Sequence, residues 1–309
     1  MASDNNRYEL TRGQRLLSSL LYALCRMVAI LPRWVRYYVI EDIIFVVLRY
    51  VVRYRRGVIM TNLRNSFPER DERELEDIAH RYYRYLAEQF LNTLSVTGAT
   101  PEQMRRFLRF PEAEAYIEAT KGRDVILMGG HYGCWEYMSA IGVHDDGHYL
   151  MSIYHPLENS ALDDLFKRMR ALENTDLVPR DDSLRYFIKN RGGRGESGKP
   201  LAMGLIADQN PTRHKDSHWF RFLNQDTIFA EGGEQLARKL HVPVWYVGMR
   251  YLRRGEYEMY AEQIFDGEEQ TEEMEITERY IRALERDICA VPHLWLWSHR
   301  RWKHKKKEE

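Results

Sequence analysis

Apolar positions recur three and four residues apart over residues 71–95, at Leu75, Ile78, Ala79, Tyr82, Tyr83, Leu86, Phe90 and Leu94. That spacing predicts one long helix with a single buried face. Pro101 and Pro111 then open two short helices, at the first-turn position that suits a residue without an N–H. Past residue 123 the pattern changes. Val125, Ile126, Leu127 and Met128 form an unbroken apolar run after Asp124, the mark of a buried strand, and Gly129 and Gly130 end it. Further strands are predicted at 149–154, 201–207 and 242–249, with an alternating, edge-like strand at 257–264. Helices are predicted at 134–143, 161–172, 183–189, 229–240 and 272–288, and a loop with four glycines at 191–198. Strands alternating with helices of this length predict an α/β fold, a mostly parallel central sheet flanked by helices.

Two apolar runs precede that domain, residues 16–31, interrupted by Arg26, and residues 39–52, which carry Glu41, Asp42 and Arg49. A spanning helix needs about 20 apolar residues, so the first run is short for a crossing. Pro32, Arg33 and Trp34 follow it in place of a small-residue cleavage site, which argues against a secretory signal. Apolar stretches with arginine and aromatic flanks fit a shallow interfacial anchor, although two amphipathic core helices would show the same pattern. The expected organisation is a helical, membrane-associating N-terminal region over residues 1–66 and an α/β domain over residues 67–309.

Composition narrows the class. The 309 residues are 44% hydrophobic and 30% charged, with 46 Lys and Arg against 46 Asp and Glu. These values exclude a disordered, collagen-like or multi-span membrane chain. Zero net charge also argues against a dedicated nucleic-acid binder. Cys25, Cys134 and Cys289 are too far apart to suggest a disulfide framework or a zinc site. The neutral total hides asymmetry: residues 1–64 hold eleven Arg against four acids, and residues 255–287 hold twelve acids against three Arg. The tail over residues 300–307 is basic again, with six Lys or Arg. Basic ends suit an anionic surface.

Chemistry concentrates at Met128-Gly-Gly-His-Tyr-Gly-Cys-Trp-Glu136, where a strand ends, two glycines turn the chain and His131 precedes a helix. Ligands of open parallel sheets bind at the carboxyl ends of strands, so His131 is well placed for catalysis. Five residues within one helix lie about 140° apart, so Glu136 meets His131 only if the histidine sits in the turn. A carboxylate beside an imidazole fixes its tautomer and stabilises the imidazolium of a general base. A histidine bonded to backbone, with a solvated glutamate, fits the same spacing. Ala207-Asp-Gln-Asn-Pro211 ends the 201–207 strand and is either a second part of this crevice or an Asx turn. Arg168 and Arg170 close a helix, where arginine is favourable with or without a phosphate to bind. Cys134 reads as a buried helix cysteine, and no zinc spacing, P-loop or dinucleotide fingerprint is present. Residues 294–303, rich in tryptophan and arginine, read either as a strand whose basic tail lies on an anionic surface or as a last core strand with a solvated tail.

Six segments in order resemble the bacterial lipid A biosynthesis late acyltransferase family, the lauroyl and myristoyl transferases. They are the arginine-flanked apolar N-terminus, Asn62-Leu-Arg-Asn-Ser-Phe-Pro68, Gly130-His-Tyr-Gly-Cys-Trp-Glu136, Tyr154-His-Pro156, Ala207-Asp-Gln209 and Leu296-Trp-Ser-His-Arg-Arg-Trp-Lys303. The resemblance implies a glycerolipid-acyltransferase type of α/β fold. It also implies transfer of a fatty acyl chain from an acyl carrier protein thioester to a hydroxyl of a lipid A precursor, at the cytoplasmic face of the inner membrane and with no cofactor. By resemblance His131 is the catalytic histidine and Glu136 its acidic partner. Arg170, preferred over Arg168, and Asp208 match residues that serve the substrate. His155, expected to bind substrate with them, departs from the family, where many relatives carry arginine between Tyr and Pro. Expected in addition are an oxyanion held by the N–H groups of residues 132–134 and a carrier-protein patch at Arg250, Arg253 and Arg254. An acyl-CoA donor, another polyhydroxy lipid acceptor, a hydrolase and a membrane-bound lipid-binding protein are the competing readings.

Overall fold

The computed structural model describes residues 10–172, 174–211 and 217–306. A seven-stranded sheet forms the centre. Its strands are β1 (Leu108–Arg109), β2 (Val125–Gly129), β3 (Tyr149–Tyr154), β4 (Thr175–Pro179), β5 (Leu201–Ile206), β8 (Val244–Arg253) and β9 (Glu256–Phe265), in the order β1-β9-β8-β2-β5-β3-β4. β2, β3, β4, β5 and β8 run parallel, whereas β9 returns antiparallel to β8. A small hairpin, β6 (Phe220–Phe222) and β7 (Gln225–Thr227), stands apart. β2 is buried along its whole length, as the apolar run over 125–128 requires of a strand covered on both faces. From β2 the chain moves to one side of the sheet, toward β3, and from β5 it crosses to the other, toward β8. The crevice at the carboxyl ends of β2 and β5 is therefore the topological switch point of the fold.

Most helices follow the sequence signals; Pro111, expected at a first turn, instead precedes the Glu112 cap of helix Ala113–Ala119. Glu72–Ser95 begins at Asp71, whose carboxylate accepts from the Glu74 N–H while the Glu74 side chain accepts from the Asp71 N–H. This reciprocal cap leaves fewer orphan donors at the helix start. Thr100 and Gln103 cap Pro101–Phe107 in the same way. The predicted helix over 134–143 is instead a tight 3₁₀ segment, Trp135–Ala140, followed by one α-turn, Ile141–His144. β4 and the β6–β7 hairpin lay outside the sequence prediction. β4 has only Leu177 and Val178 as apolar residues, and the hairpin turns at Leu223 and Asn224, both with positive φ but neither a glycine.

Residues 294–303 do not form the predicted final strand. Trp295 makes a single antiparallel bridge with Tyr132, and the N–H groups of Trp297 and Arg301 turn back onto the carbonyls of Trp295 and His299. With the His299 N–H on the Leu296 carbonyl and the Ser298 N–H on the Tyr82 hydroxyl as well, four successive or near-successive donors are turned away from any ladder. Trp295, Trp297 and Arg301 are buried, so this stretch is core rather than a surface tail. Lys307, the end of the basic tail, lies outside the described residues.

At the N-terminus, helix Arg12–Ile30 and the helical stretch Arg33–Val51 meet at a bend of 106° around Leu31 and Pro32. No single described helix is long and apolar enough to cross a membrane; the bent pair passes by length and composition only. Tyr37 and Phe45 are buried and Leu21 and Tyr22 pack against the core, but both polar and apolar groups lie on each side of these helices. Polar groups point inward: Ser18 bonds Asp164 at 2.6 Å, and Arg26 bonds the carbonyls of Thr97 and Gly98. Leu20, Met27, Ile30, Trp34, Tyr38 and Ile43 are exposed.

Candidate active site

The end of β2 and the end of β5 are tied together by their own backbones. The Gly129 carbonyl accepts from the Ala207 N–H at 3.1 Å and from the Tyr280 hydroxyl at 2.9 Å. Gly130 follows in a tight place: a Cβ there would stand 2.8 Å from Leu284 Cδ1, so the buried leucine would have to shift, and 3.4 Å from Asp208 Oδ2. This close approach brings Asp208 to His131. The Asp208 carboxylate accepts from the His131 backbone N–H at 2.9 Å and faces His131 Nδ1 at 2.6 Å. It also accepts the Trp295 indole N–H at 2.8 Å. Asp208 is only 2% exposed, and burial alone would raise its pKa. The histidine charge and the donors from His131 and Trp295 outweigh that penalty and lower it to about 2. The carboxylate is thus held ionised.

An ionised carboxylate only accepts, so whenever the ring is neutral its hydrogen sits on Nδ1 and the lone pair on Nε2. Nε2 faces away from Asp208, toward the Gln209 side-chain nitrogen at 2.9 Å. Trp135 packs obliquely against the ring at 5.2 Å. This is the arrangement of a general base whose acceptor nitrogen points outward and whose other nitrogen is anchored.

Glu136 occupies a different place from the one its spacing suggested. Its carboxylate is gripped at both oxygens by Arg170, at 2.8 and 2.9 Å, and the hydrogen bonds give the imidazole to Asp208 instead. The physical reason is local: His131 lies in the turn held to the end of β5, whereas Glu136 belongs to the 3₁₀ segment and faces the end of helix Ser160–Arg170. Glu136, Arg170 and His155 come together as the lining of one pocket of about 170 Å³, with Tyr154, Lys167 and Phe166. Arg168 points elsewhere, over the Tyr22 ring at 4.2 Å. The sequence-named residues therefore form two groups off the carboxyl ends of the strands: His131 with Asp208, and Glu136 with Arg170 and His155.

Other expectations find their places. Cys134 is fully buried, and burial, with Glu136 nearby, pushes its thiol well above the usual range. The Gly133 N–H, the middle member of the expected oxyanion trio, is committed to the Leu294 carbonyl at 3.0 Å. Arg250, Arg253 and Arg254 are paired with Glu258, Glu256 and Glu41. No group of three or more His, Cys, Asp or Glu among the described residues is arranged to hold a metal.

Three contributors were not assigned roles from sequence. Gln209 caps Nε2, Trp295 bonds Asp208, and buried Arg301 clamps the turn after β5 by donating to Asn210 Oδ1 at 3.0 Å and to the Ile228 carbonyl at 2.6 Å. Burial lowers the Arg301 guanidinium to about 10, with the Asp208 charge opposing. Gln209 was flagged by its place at the carboxyl end of the 201–207 strand, whereas only the resemblance of the segment Leu296–Lys303, which holds Arg301 and adjoins Trp295, pointed toward the other two.

Over residues 6–304 the chain matches the model of a family described as bacterial lipid A biosynthesis acyltransferase. Among curated proteins, none matches it.

Proposed function

The chain belongs to the bacterial lipid A biosynthesis acyltransferase family, and from that premise we propose that it moves a fatty acyl chain from an acyl carrier protein thioester to a hydroxyl of a lipid A precursor, with His131 as general base. The observation that carries this reading is the Asp208–His131 pair at 2.6 Å, which leaves Nε2 basic and outward-facing. Nε2 takes the proton of the acceptor hydroxyl as its oxygen adds to the thioester carbonyl. Asp208 stabilises the imidazolium so formed. Collapse of the tetrahedral centre breaks the carbon–sulfur bond, and the thiolate takes the proton back from Nε2. No acyl-enzyme is required, since the thioester is already activated and the buried Cys134 thiol is held protonated. A positioned base of this kind contributes about 10²–10⁴-fold in rate.

Glu136 acts in this reading through Arg170, holding the guanidinium at the wall of the pocket where an anionic group of the acceptor would lie, with His155 beside it. A basic patch supports an acidic donor protein: Arg33, Arg106, Arg109 and Arg253 all converge on the single buried carboxylate of Glu256. Four cations on one anion leave a positive excess at the surface. The outward apolar faces of the bent helix pair support seating at the cytoplasmic face of the inner membrane. The test is incubation of the detergent-solubilised chain with a lipid A precursor and either acyl carrier protein or coenzyme A loaded with a series of chains, read by mass spectrometry. Gain of one acyl group from the carrier protein supports the reading. Free fatty acid without acylated lipid contradicts it, and transfer from coenzyme A alone replaces the donor.

A further inference from the structure

The His131 ring is clasped from both sides by two adjacent residues. Asp208 holds Nδ1 at 2.6 Å, and the Gln209 amide nitrogen stands 2.9 Å from Nε2. The Nε2 lone pair accepts this hydrogen bond, so the amide occupies the place where a hydroxyl must sit to be deprotonated, about 2.6–3.2 Å from the base. Asp208 is buried, but Gln209 is exposed at the open side of the ring. A capped base is inert until the cap moves. The amide carries N–H groups that are free to act once displaced.

Acyl transfer also needs a donor for the carbonyl oxygen that becomes negative in the tetrahedral state. The turn that bears His131 has already spent much of its supply. The His131 N–H goes to Asp208 and the Gly133 N–H to the Leu294 carbonyl. Arg170 is held at two positions by Glu136. Gln209 stands beside the reacting nitrogen.

We propose that Gln209 is the oxyanion donor of this site, released from Nε2 by the incoming hydroxyl and turned onto the thioester oxygen. The inference rests on the reading of His131 as the base for acyl transfer. When the hydroxyl takes Nε2, its oxygen and the thioester oxygen become neighbours on one tetrahedral carbon. The displaced amide then has to move by only about the length of one hydrogen bond. The carbonyl electron pair moves onto the oxygen and is stabilised by the Gln209 N–H, without proton transfer. It re-forms the carbonyl as the carbon–sulfur bond breaks. Gln209 therefore couples acceptor binding to assembly of the donor.

The experiment compares kcat and KM for the wild type, Gln209→Ala, Gln209→Glu and His131→Ala, using the full chain with loaded acyl carrier protein and a lipid A precursor. Loss of one oxyanion donor costs roughly 10²–10³-fold in kcat, and Gln209→Ala is expected in that range with KM changed less than about threefold. Gln209→Glu keeps the shape but supplies an acceptor where a donor is needed, and is expected to be at least as slow. A kcat for Gln209→Ala within about threefold of wild type overturns the proposal and leaves the oxyanion to backbone N–H groups. A loss confined to KM overturns it as well, making Gln209 a binding residue. Full activity of His131→Ala is a separate failure, that of the general-base reading, and the proposal falls with it.

Discussion

Replacement of Asp208 by Asn separates the roles of the two carboxylates. Three donors converge on Asp208: the His131 N–H and the Trp295 indole on one oxygen, and His131 Nδ1 on the other. The amide of Asn offers a single acceptor oxygen. If that oxygen keeps the two N–H groups, the amide nitrogen faces Nδ1 and donates to it. Nδ1 must then be the acceptor, so the hydrogen moves to Nε2 and the base is lost. The wrong tautomer in a His–carboxylate pair costs roughly 10⁴-fold in kcat, or about 5.5 kcal/mol of transition-state stabilisation. If the amide turns the other way, two buried N–H groups lose their acceptor, at about 1–3 kcal/mol each. The first orientation satisfies all three contacts and is the one expected, so Asp208→Asn loses the chemical step while the Glu136–Arg170 pocket stays intact. Steady-state kcat and KM with saturating acyl donor, beside a thermal melt to show that the variant is folded, read the effect. A folded Asp208→Asn within tenfold of wild type would refute the reasoning, and more so if Glu136→Gln alone abolished kcat, because Glu136 would then be the residue that orients the imidazole.

Three further outcomes follow from the same geometry. Cys134→Ala should keep activity within about threefold in the transfer assay, because its thiol is buried and protonated and no covalent step is invoked; complete loss would point to an acyl-enzyme. Gly130→Ala places a Cβ 2.8 Å from Leu284 Cδ1 and should destabilise the fold by about 1–3 kcal/mol, visible as a lower melting temperature together with lost turnover. Asp208 has its pKa lowered from 3.8 to about 2, so its ionised form contributes about 2 kcal/mol of stability that is complete above the unfolded value and is lost as pH falls through the folded one. Chemical denaturation should therefore show the stability gap between wild type and Asp208→Asn shrinking as pH falls below about 4; a gap that widens between about pH 4 and pH 2 would contradict the assignment.

How much of this was legible in the sequence depends on whether the cause is local. β2, β3 and β5 were readable because a short, mostly apolar run bounded by turn residues has few alternatives. The long helix Glu72–Ser95 announced its face by spacing and its start by Asp71 and Glu74. Periodicity could not show that the Trp135 segment would tighten to a 3₁₀ helix, or that Thr175–Pro179, with two apolar residues, would add to the sheet through β3. At the site, His131 and Asp208 were each found at a strand's carboxyl end. Their partnership was not, because it depends on β2 and β5 being neighbours, 77 residues apart in the chain. The sequence instead offered Glu136, the nearest carboxylate along the chain. The tryptophan-rich finish read as a strand, yet its indole and its buried arginine serve to brace the Asp208 turn.

The most direct test of the His131–Asp208 partnership is a double-mutant cycle on kcat for acyl transfer, with His131→Ala, Asp208→Asn and the pair combined. Residues that act as one unit lose the same function once. The account predicts that the double variant is no slower than His131→Ala alone, with acylated lipid A precursor reduced equally in both. Losses that multiply would contradict it, showing that Asp208 contributes to the reaction by some route other than the imidazole it holds.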